Sequence, residues 1–209
     1  VYDGATPLGT AVATGGVWNY TTSARTHGSH TFSATATDLA GNVSAASSGL
    51  AVSIDTIAPL VSSVVSPPSG TYYGGNNLDL TVNFNDAVYV DTSEGTPRIP
   101  LTIGSATRYA SYVSGSGTSA LLFRYTVANG DSDADGITVG GSLSANGGSL
   151  MDAAGNAAQT TLNAVGTTTG VLVDALQPSV TNVSASTADG TYGVGNTIDI
   201  TVSLSKAVV

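Results

Sequence analysis

"ALLFRYTV", residues 120–127, is the stretch of sequence that decides the fold class. Large apolar side chains alternate along it with more polar ones, so that Leu121, Phe123 and Tyr125 share one face of an extended chain. This period of two residues is typical of a β-strand covered on one side. The 3.6-residue period of helices is missing almost everywhere else, so the sequence predicts an all-β protein.

Short runs of the same kind recur between residues 60 and 173, separated by Gly, Asn, Ser or Pro. They lie at 60–66, 78–84, 97–103, 106–113, 119–127, 137–145 and 169–173. Hydrophobic residues make up 41% of the chain and charged residues only 9%, which favours β-structure with many tight turns. Seven or eight strands of this length predict an immunoglobulin-like antiparallel sandwich.

Two internal repeats set the organisation of the chain. "TDLAGNVSAA" (37–46) and "MDAAGNAAQT" (151–160) share an Asp-x-Ala-Gly-Asn motif, and each is followed by an apolar strand that ends in Asp and then reaches a Pro. Residues 61–90 and 180–209 also resemble each other, in a Gly-Thr-Tyr turn, an alternating strand and a final Ala-Val.

These repeats divide the chain into modules. We expect the C-terminal part of one module at residues 1–55, a complete module at 56–174 and the N-terminal part of another at 175–209. The central module has the size of a sandwich, whereas both terminal pieces are too short to bury a sandwich core alone. The chain is expected to be a window of a longer protein.

Composition excludes several functions. The net charge of −9 would repel the phosphate backbone of nucleic acids, and no apolar stretch approaches the length of a membrane span. There is no cysteine, and the N-terminus lacks the features of a signal peptide. With only two histidines and no Gly-x-Ser-x-Gly motif, the sequence predicts no catalytic site.

The first candidate metal site follows from sandwich topology. The loop between the last two strands of such a fold returns to the pole at which the chain enters, which places Asp152 and Asn156 beside Asp55. Carboxylate and amide oxygens suit calcium, so we predict a calcium site at this junction between modules. The alternative is that Asp-x-Ala-Gly-Asn is only a tight turn, held by Asp and Asn side chains without metal.

The same topology assigns the repeats of these residues to neighbouring junctions. Asp174 should face the following module, and Asp38 with Asn42 should face the preceding one. Bound calcium would then stiffen joints that are otherwise flexible.

A second candidate site lies in "NGDSDADGITV", residues 129–139. Asp131, Asp133 and Asp135 copy the first half of an EF-hand loop, with oxygens at positions 1, 3 and 5 followed by a Gly. The glutamate expected at position 12 is absent, because that position is Ser142. The alternatives are therefore a calcium site completed by a remote carboxylate and a solvated acidic turn.

Several motifs together resemble the bacterial immunoglobulin-like repeats that occur in tandem in large secreted adhesins. They are the DLAGNVS and DAAGNAA loops, "HTFSATATD" before the first loop, the "IDTIAP" junction and "YVSGSGTSALLFRYTVANGDSDADGI". The resemblance implies a modular array at the bacterial cell surface or outside the cell, with calcium at many of its junctions and without catalysis.

Three functions are compatible with these features. The first is a structural or adhesive array, stiffened by calcium, that holds a distal domain away from the bacterium or forms a biofilm matrix with neighbouring repeats. The second is a module that itself binds a host or matrix glycan or protein through its loops. The third is a subunit of an extracellular filament, in which strands 180–205 of one copy complete segment 1–55 of the next.

Overall fold

The computed structural model describes residues 1–208, which form β-strands joined by turns. Among these residues there is no helix, and hence none long and apolar enough to cross a membrane. The sixteen strands of the described chain fall into three successive groups of sheets. The predicted all-β class is confirmed.

The first group contains β1 (Tyr2–Asp3), β2 (Thr6–Pro7), β3 (Gly28–Ser33) and β4 (Leu50–Ile54). They form one antiparallel sheet in the order β2-β1-β3-β4. None of residues 1–58 is fully buried, so this sheet encloses no apolar core by itself.

The second group contains β5 (Val61–Val65), β6 (Gly70–Tyr72), β7 (Asn77–Asp91), β8 (Arg98–Ile103), β9 (Ala106–Ser114), β10 (Thr118–Thr126), β11 (Ser132–Asp133), β12 (Thr138–Val139), β13 (Ser149–Met151) and β14 (Val171–Asp174). The large sheet has the order β12-β8-β9-β10-β7-β13, and β5 also pairs with β7. The small sheet has the order β11-β14-β6, and in it β6 and β14 run parallel.

The stretch that predicted the fold class forms the middle of the large sheet. β10 pairs with β7 on one side and with β9 on the other. Leu121 and Phe123 are fully buried, whereas Leu122 and Arg124 on the opposite face are half-buried. The predicted alternation is therefore confirmed, and Tyr112 packs edge-on against Phe123 with ring centroids 5.9 Å apart.

Apolar side chains from both sheets share one core. Its fully buried members are Phe123, Leu78, Leu80, Ile99, Leu101, Ile103, Leu121, Ile137, Val64, Val82, Val88 and Val171. Each such side chain contributes roughly 1.5–3 kcal/mol relative to exposure. The two sheets and the core between them make a β-sandwich whose strand pairs are antiparallel except for β6 and β14.

Two predicted strands have different lengths in the structure. The strand expected at 78–84 continues to Asp91, and the one expected at 137–145 is reduced to Thr138–Val139. Gly140 and Gly141 interrupt the latter, and a Cβ at Gly140 would lie only 2.6 Å from Pro100 Cγ. The chain therefore crosses Pro100 at a point where only glycine fits.

The third group is the pair β15 (Val180–Ala185) and β16 (Ile200–Leu204), which are antiparallel. Its large apolar side chains, such as Val183 and Val202, remain exposed. The three groups follow the order of the expected modules, while the module limits at residues 55 and 174 stay a prediction.

Candidate metal centre at the junction before the sandwich

The loop formed by residues 152–156 is held by the side chain of its first residue. Asp152 Oδ1 accepts the backbone N–H groups of Ala154 at 2.8 Å and of Asn156 at 2.9 Å. Asn156 Nδ2 donates to Asp152 Oδ2 at 2.7 Å. Gly155 has φ +89°, a left-handed conformation that glycine adopts without strain.

The loop formed by residues 38–42 repeats this arrangement bond for bond. Asp38 Oδ1 accepts the N–H groups of Ala40 at 2.9 Å and of Asn42 at 2.8 Å. Asn42 Nδ2 donates to Asp38 Oδ2 at 2.8 Å, and Gly41 also has φ +89°. The Asp-x-Ala-Gly-Asn motif is therefore a tight turn in both places, and its carboxylate is already fixed in position.

Strand directions bring a third acidic residue to the same pole as the 152–156 loop. Because β7 runs antiparallel to β5 and pairs Phe84 with Val61, the chain after Phe84 returns to the point at which it entered the sandwich. Leu60 N–H donates to Asn85 Oδ1 at 2.7 Å, and Asn85 N–H donates to Leu60 O at 3.0 Å. Asp86 follows directly.

The carboxylates of Asp55, Asp86 and Asp152 converge at this pole. One oxygen from each lies within 4.8 Å of the oxygens of the other two. Asp55 is half-buried, Asp86 is exposed and Asp152 is buried. The predicted proximity of Asp55, Asp152 and Asn156 is present in the structure, because Asn156 Nδ2 also donates to Asp55 O at 3.2 Å.

The spacing of these oxygens suits a calcium ion. Oxygen ligands lie about 2.3–2.6 Å from calcium, so two of them can be at most about 5 Å apart. Without a cation, each pair of charges repels by roughly 1 kcal/mol in water and by roughly 4 kcal/mol at the dielectric of a protein surface. Within residues 1–208, neither Asp86 nor Asp152 has a Lys, Arg or His partner within 4.0 Å.

Asp55 connects this pole to the preceding sheet. Its Oδ1 atom lies 3.2 Å from His27 Nδ1 and accepts the N–H of Ile57 at 3.0 Å. The N–H of Gln159 donates to Pro59 O at 2.8 Å, so the linker is also fixed to the loop region of the sandwich. We refer to Asp55, Asp86, Asp152 and Asn156 as the first junction.

Hydrogen bonding keeps the loop carboxylate ionised. Burial alone would raise the pKa of Asp152, but hydrogen bonds from Asn156, Ala154 and Gly155 outweigh it and hold the pKa below its usual value. Asp152 is therefore an anion at neutral pH, as a metal ligand must be.

Asp174 lies at the other end of the sandwich, and its carboxylate is already paired with a cationic side chain. Lys206 Nζ donates to both carboxylate oxygens of Asp174 at 2.7 Å. This ion pair lowers the pKa of Asp174. Neither the Asp38 loop nor Asp174 has two further acidic residues at coordinating distance among the described residues.

The structure does not form the predicted half EF-hand loop at residues 131–135. The Asp131 side chain is fully buried, and its Oδ1 atom lies 2.7 Å from Arg108 Nη2. Its Oδ2 atom accepts the Tyr125 hydroxyl at 2.6 Å and the Ala128 N–H at 2.9 Å. These protein donors occupy the oxygens that a calcium ion would need.

The neighbouring aspartates have different partners. Asp133 is buried, and its carboxylate accepts the N–H groups of Gly104 at 2.6 Å and of Gly136 at 2.8 Å. Asp135 is exposed. Asp131 and Asp133 thus have separate structural roles in the interior, and the idea of a solvated acidic turn is also wrong for these two buried residues.

Sequence reasoning missed Asp86. A signal was available, because an acidic residue just beyond the part of a strand that pairs with β5 must lie at the pole where the chain enters. The repeat hid it, since the matching position near the C-terminus is Lys206 and not an acid.

Comparison with known proteins adds one finding about the family. No curated protein and no solved structure matched this chain. The family model described as bacterial Ig-like domain matches residues 1–56. The N-terminal segment of this chain, residues 1–56, is therefore similar to bacterial Ig-like domains.

Proposed function

We propose that this chain is a non-catalytic structural region of a bacterial cell-surface or secreted protein, in which calcium fixes successive Ig-like modules in a rigid, adhesive array. Bacterial Ig-like domains are generally non-catalytic and commonly occur in surface proteins. The observation that carries the calcium part is the convergence of Asp55, Asp86 and Asp152 within 4.8 Å.

The first junction contains groups from three parts of the chain. Asp55 belongs to the linker after β4, and Asp152 belongs to a loop between late strands. Asp86 lies within β7, just beyond the part of that strand that pairs with β5. A divalent cation bound to all three would restrain the linker relative to the sandwich. Calcium is the expected ion because all the available ligand atoms are oxygens.

Thermal unfolding of the full chain tests this proposal. Calcium at about 100 times its Kd stabilises a folded protein by about 2.7 kcal/mol. For a chain of this size that corresponds to a rise of about 5–10 °C in the unfolding midpoint relative to EGTA. Small-angle scattering should also show a longer particle in calcium, because the joint bends less.

The matched variants are Asp86→Asn and Asp135→Asn, which remove the same charge at exposed positions. Asp86→Asn should abolish the effect of calcium, whereas Asp135→Asn should retain it. An equal calcium response in Asp86→Asn and the wild type would reject the first junction as the calcium site.

A further inference from the structure

The chain contains a single lysine, Lys206, and the repeat places it at the position of Asp86. Aligned on their Gly-Thr-Tyr turns at Gly70 and Gly190, the two copies match Asp86 with Lys206. The linker residues match as well, because Asp174 ends its apolar strand as Asp55 does. The next junction therefore combines the same positions with one acid replaced by a base.

Backbone hydrogen bonds support this alignment in three dimensions. At the first junction, Leu60 and Asn85 are joined by the two hydrogen bonds described above. At the next junction, Ser179 N–H donates to Ser205 Oγ at 2.9 Å, and Ser205 N–H donates to Ser179 O at 2.9 Å. Lys206 thus follows the same double hydrogen bond that Asp86 follows.

The linker carboxylates are also fixed alike. Asp55 Oδ1 accepts the N–H of Ile57 at 3.0 Å, and Asp174 Oδ1 accepts the N–H of Leu176 at 3.3 Å. The difference lies in the third group at each junction. Asp86 adds a negative charge next to Asp55, whereas Lys206 places an ammonium group against Asp174.

The ammonium group has a full set of acceptors. Lys206 Nζ donates to Asp174 Oδ1 at 2.7 Å, to Asp174 Oδ2 at 2.7 Å and to Leu176 O at 3.0 Å. An ammonium group has three donors, and all three are satisfied here. These bonds tie the end of β16 to the last strand of the sandwich.

We propose that Lys206 replaces the divalent cation at this second junction, formed by Asp174, Leu176 and Lys206, so that the joint closes without metal. The contrast with the first junction rests on the calcium proposal above, whereas the Lys206 contact does not. Successive joints of the array then respond differently to calcium. The first junction stiffens when calcium rises, and the second stays closed at any calcium concentration.

Hydrogen–deuterium exchange of the full chain tests this inference at both junctions. In the wild type, peptides covering residues 52–60 and 84–88 should exchange several-fold more slowly in calcium than in EGTA. Peptides covering 172–180 and 203–207 should exchange equally in both. Slower exchange of the second pair in calcium would overturn the inference.

Lys206→Gln tests the lysine directly, because glutamine keeps a polar, hydrogen-bonding end group on a slightly shorter side chain but removes the charge. Exchange at the second junction should accelerate by about twofold to fivefold in calcium and in EGTA, the range for a partly exposed ion pair. Unchanged exchange in Lys206→Gln would overturn the role of the lysine. This result is independent of whether the first junction binds calcium in the wild type.

The reciprocal variant Asp86→Lys should transfer the property to the first junction. A lysine there is expected to reach Asp55 as Lys206 reaches Asp174. Peptides covering 52–60 should then exchange slowly in EGTA, and calcium should not change their exchange rate. Asp86→Asn is the matched control, in which those peptides should exchange as fast as the wild type does in EGTA. Equal exchange in Asp86→Lys and Asp86→Asn would contradict the inference.

Discussion

Asp55 and Asp152 hold carboxylate oxygens within 4.8 Å of each other, although nearly the whole sequence of the sandwich lies between them. Each carboxylate is fixed by local hydrogen bonds, Asp55 by the N–H of Ile57 and Asp152 by its own loop. Two fixed anions at this distance, with Asp86 as a third, form a site whose electrostatic repulsion a cation would remove.

The two Asp-x-Ala-Gly-Asn loops allow the junction contact to be separated from the turn itself. We expect Asn156→Ala to cost about 1–2 kcal/mol in the free energy of unfolding, since it removes hydrogen bonds to buried Asp152 and to Asp55 O. Asn42→Ala removes the equivalent turn bond in an exposed loop and should cost less than about 0.5 kcal/mol. Urea unfolding of the full chain measures both, and equal losses would contradict a role for Asn156 beyond its own turn.

Asp131 should stabilise the sandwich independently of calcium. In Asp131→Asn, an amide replaces one acceptor oxygen and faces the donors of Arg108 or Tyr125. The expected loss is about 1–3 kcal/mol, and it should be the same in calcium and in EGTA. Asp135→Asn, at an exposed position in the same acidic run, should stay within about 0.5 kcal/mol of the wild type.

A calcium-dependent loss in Asp131→Asn would contradict this assignment and would support a metal role for the acidic run.

Lowering the pH should destabilise the sandwich in the same way as the Asp131→Asn substitution. Burial raises the pKa of Asp131, but hydrogen bonds from Tyr125, Arg108 and Ala128 outweigh it and lower the pKa overall. The stabilisation is therefore present above the pKa of an unfolded aspartate, about 3.9, and is lost as pH falls through the lower pKa of the folded state.

His30 should make the first sheet more stable in mild acid. Its Nε2 atom lies 2.9 Å from Thr26 O and its Nδ1 atom 2.5 Å from Asp3 Oδ2, so only the protonated ring donates to both acceptors. These bonds raise the pKa of His30, chiefly the one to Thr26. The stabilisation is complete below the pKa of an unfolded histidine, about 6.5, and is lost as pH rises through the higher folded pKa.

An NMR titration of the His30 ring protons in the full chain checks this prediction. The midpoint should lie above 6.5, and it should move down in Asp3→Asn. A midpoint at or below 6.5 would contradict the hydrogen bonds assigned to both ring nitrogens.

Most of the fold was predictable from the sequence, because strands and turns have local signals in the order of apolar, polar and glycine residues. The alternation around Phe123 identified a strand with one buried face, and Gly-rich turns separated it from its neighbours. Lengths were less predictable. Pairing with partners far along the chain extends β7 to Asp91, and contact with Pro100 cuts β12 short at Val139.

The candidate site was predictable only in part. Topology alone brought Asp55 together with Asp152, since both belong to the pole where the chain enters the sandwich. The burial of Asp131 was not predictable in the same way, because its partner Arg108 lies in a different hairpin whose position depends on the register of β8 and β9. Charge spacing along the sequence therefore suggested a metal site where the fold forms an internal ion pair.

Calcium titration calorimetry on the EGTA-stripped full chain tests the central claim most directly. We expect one calcium ion per chain, bound at the first junction, with binding retained in Asp135→Asn and lost in Asp86→Asn. Absence of binding to the wild type, or binding of equal affinity to Asp86→Asn, would contradict the account.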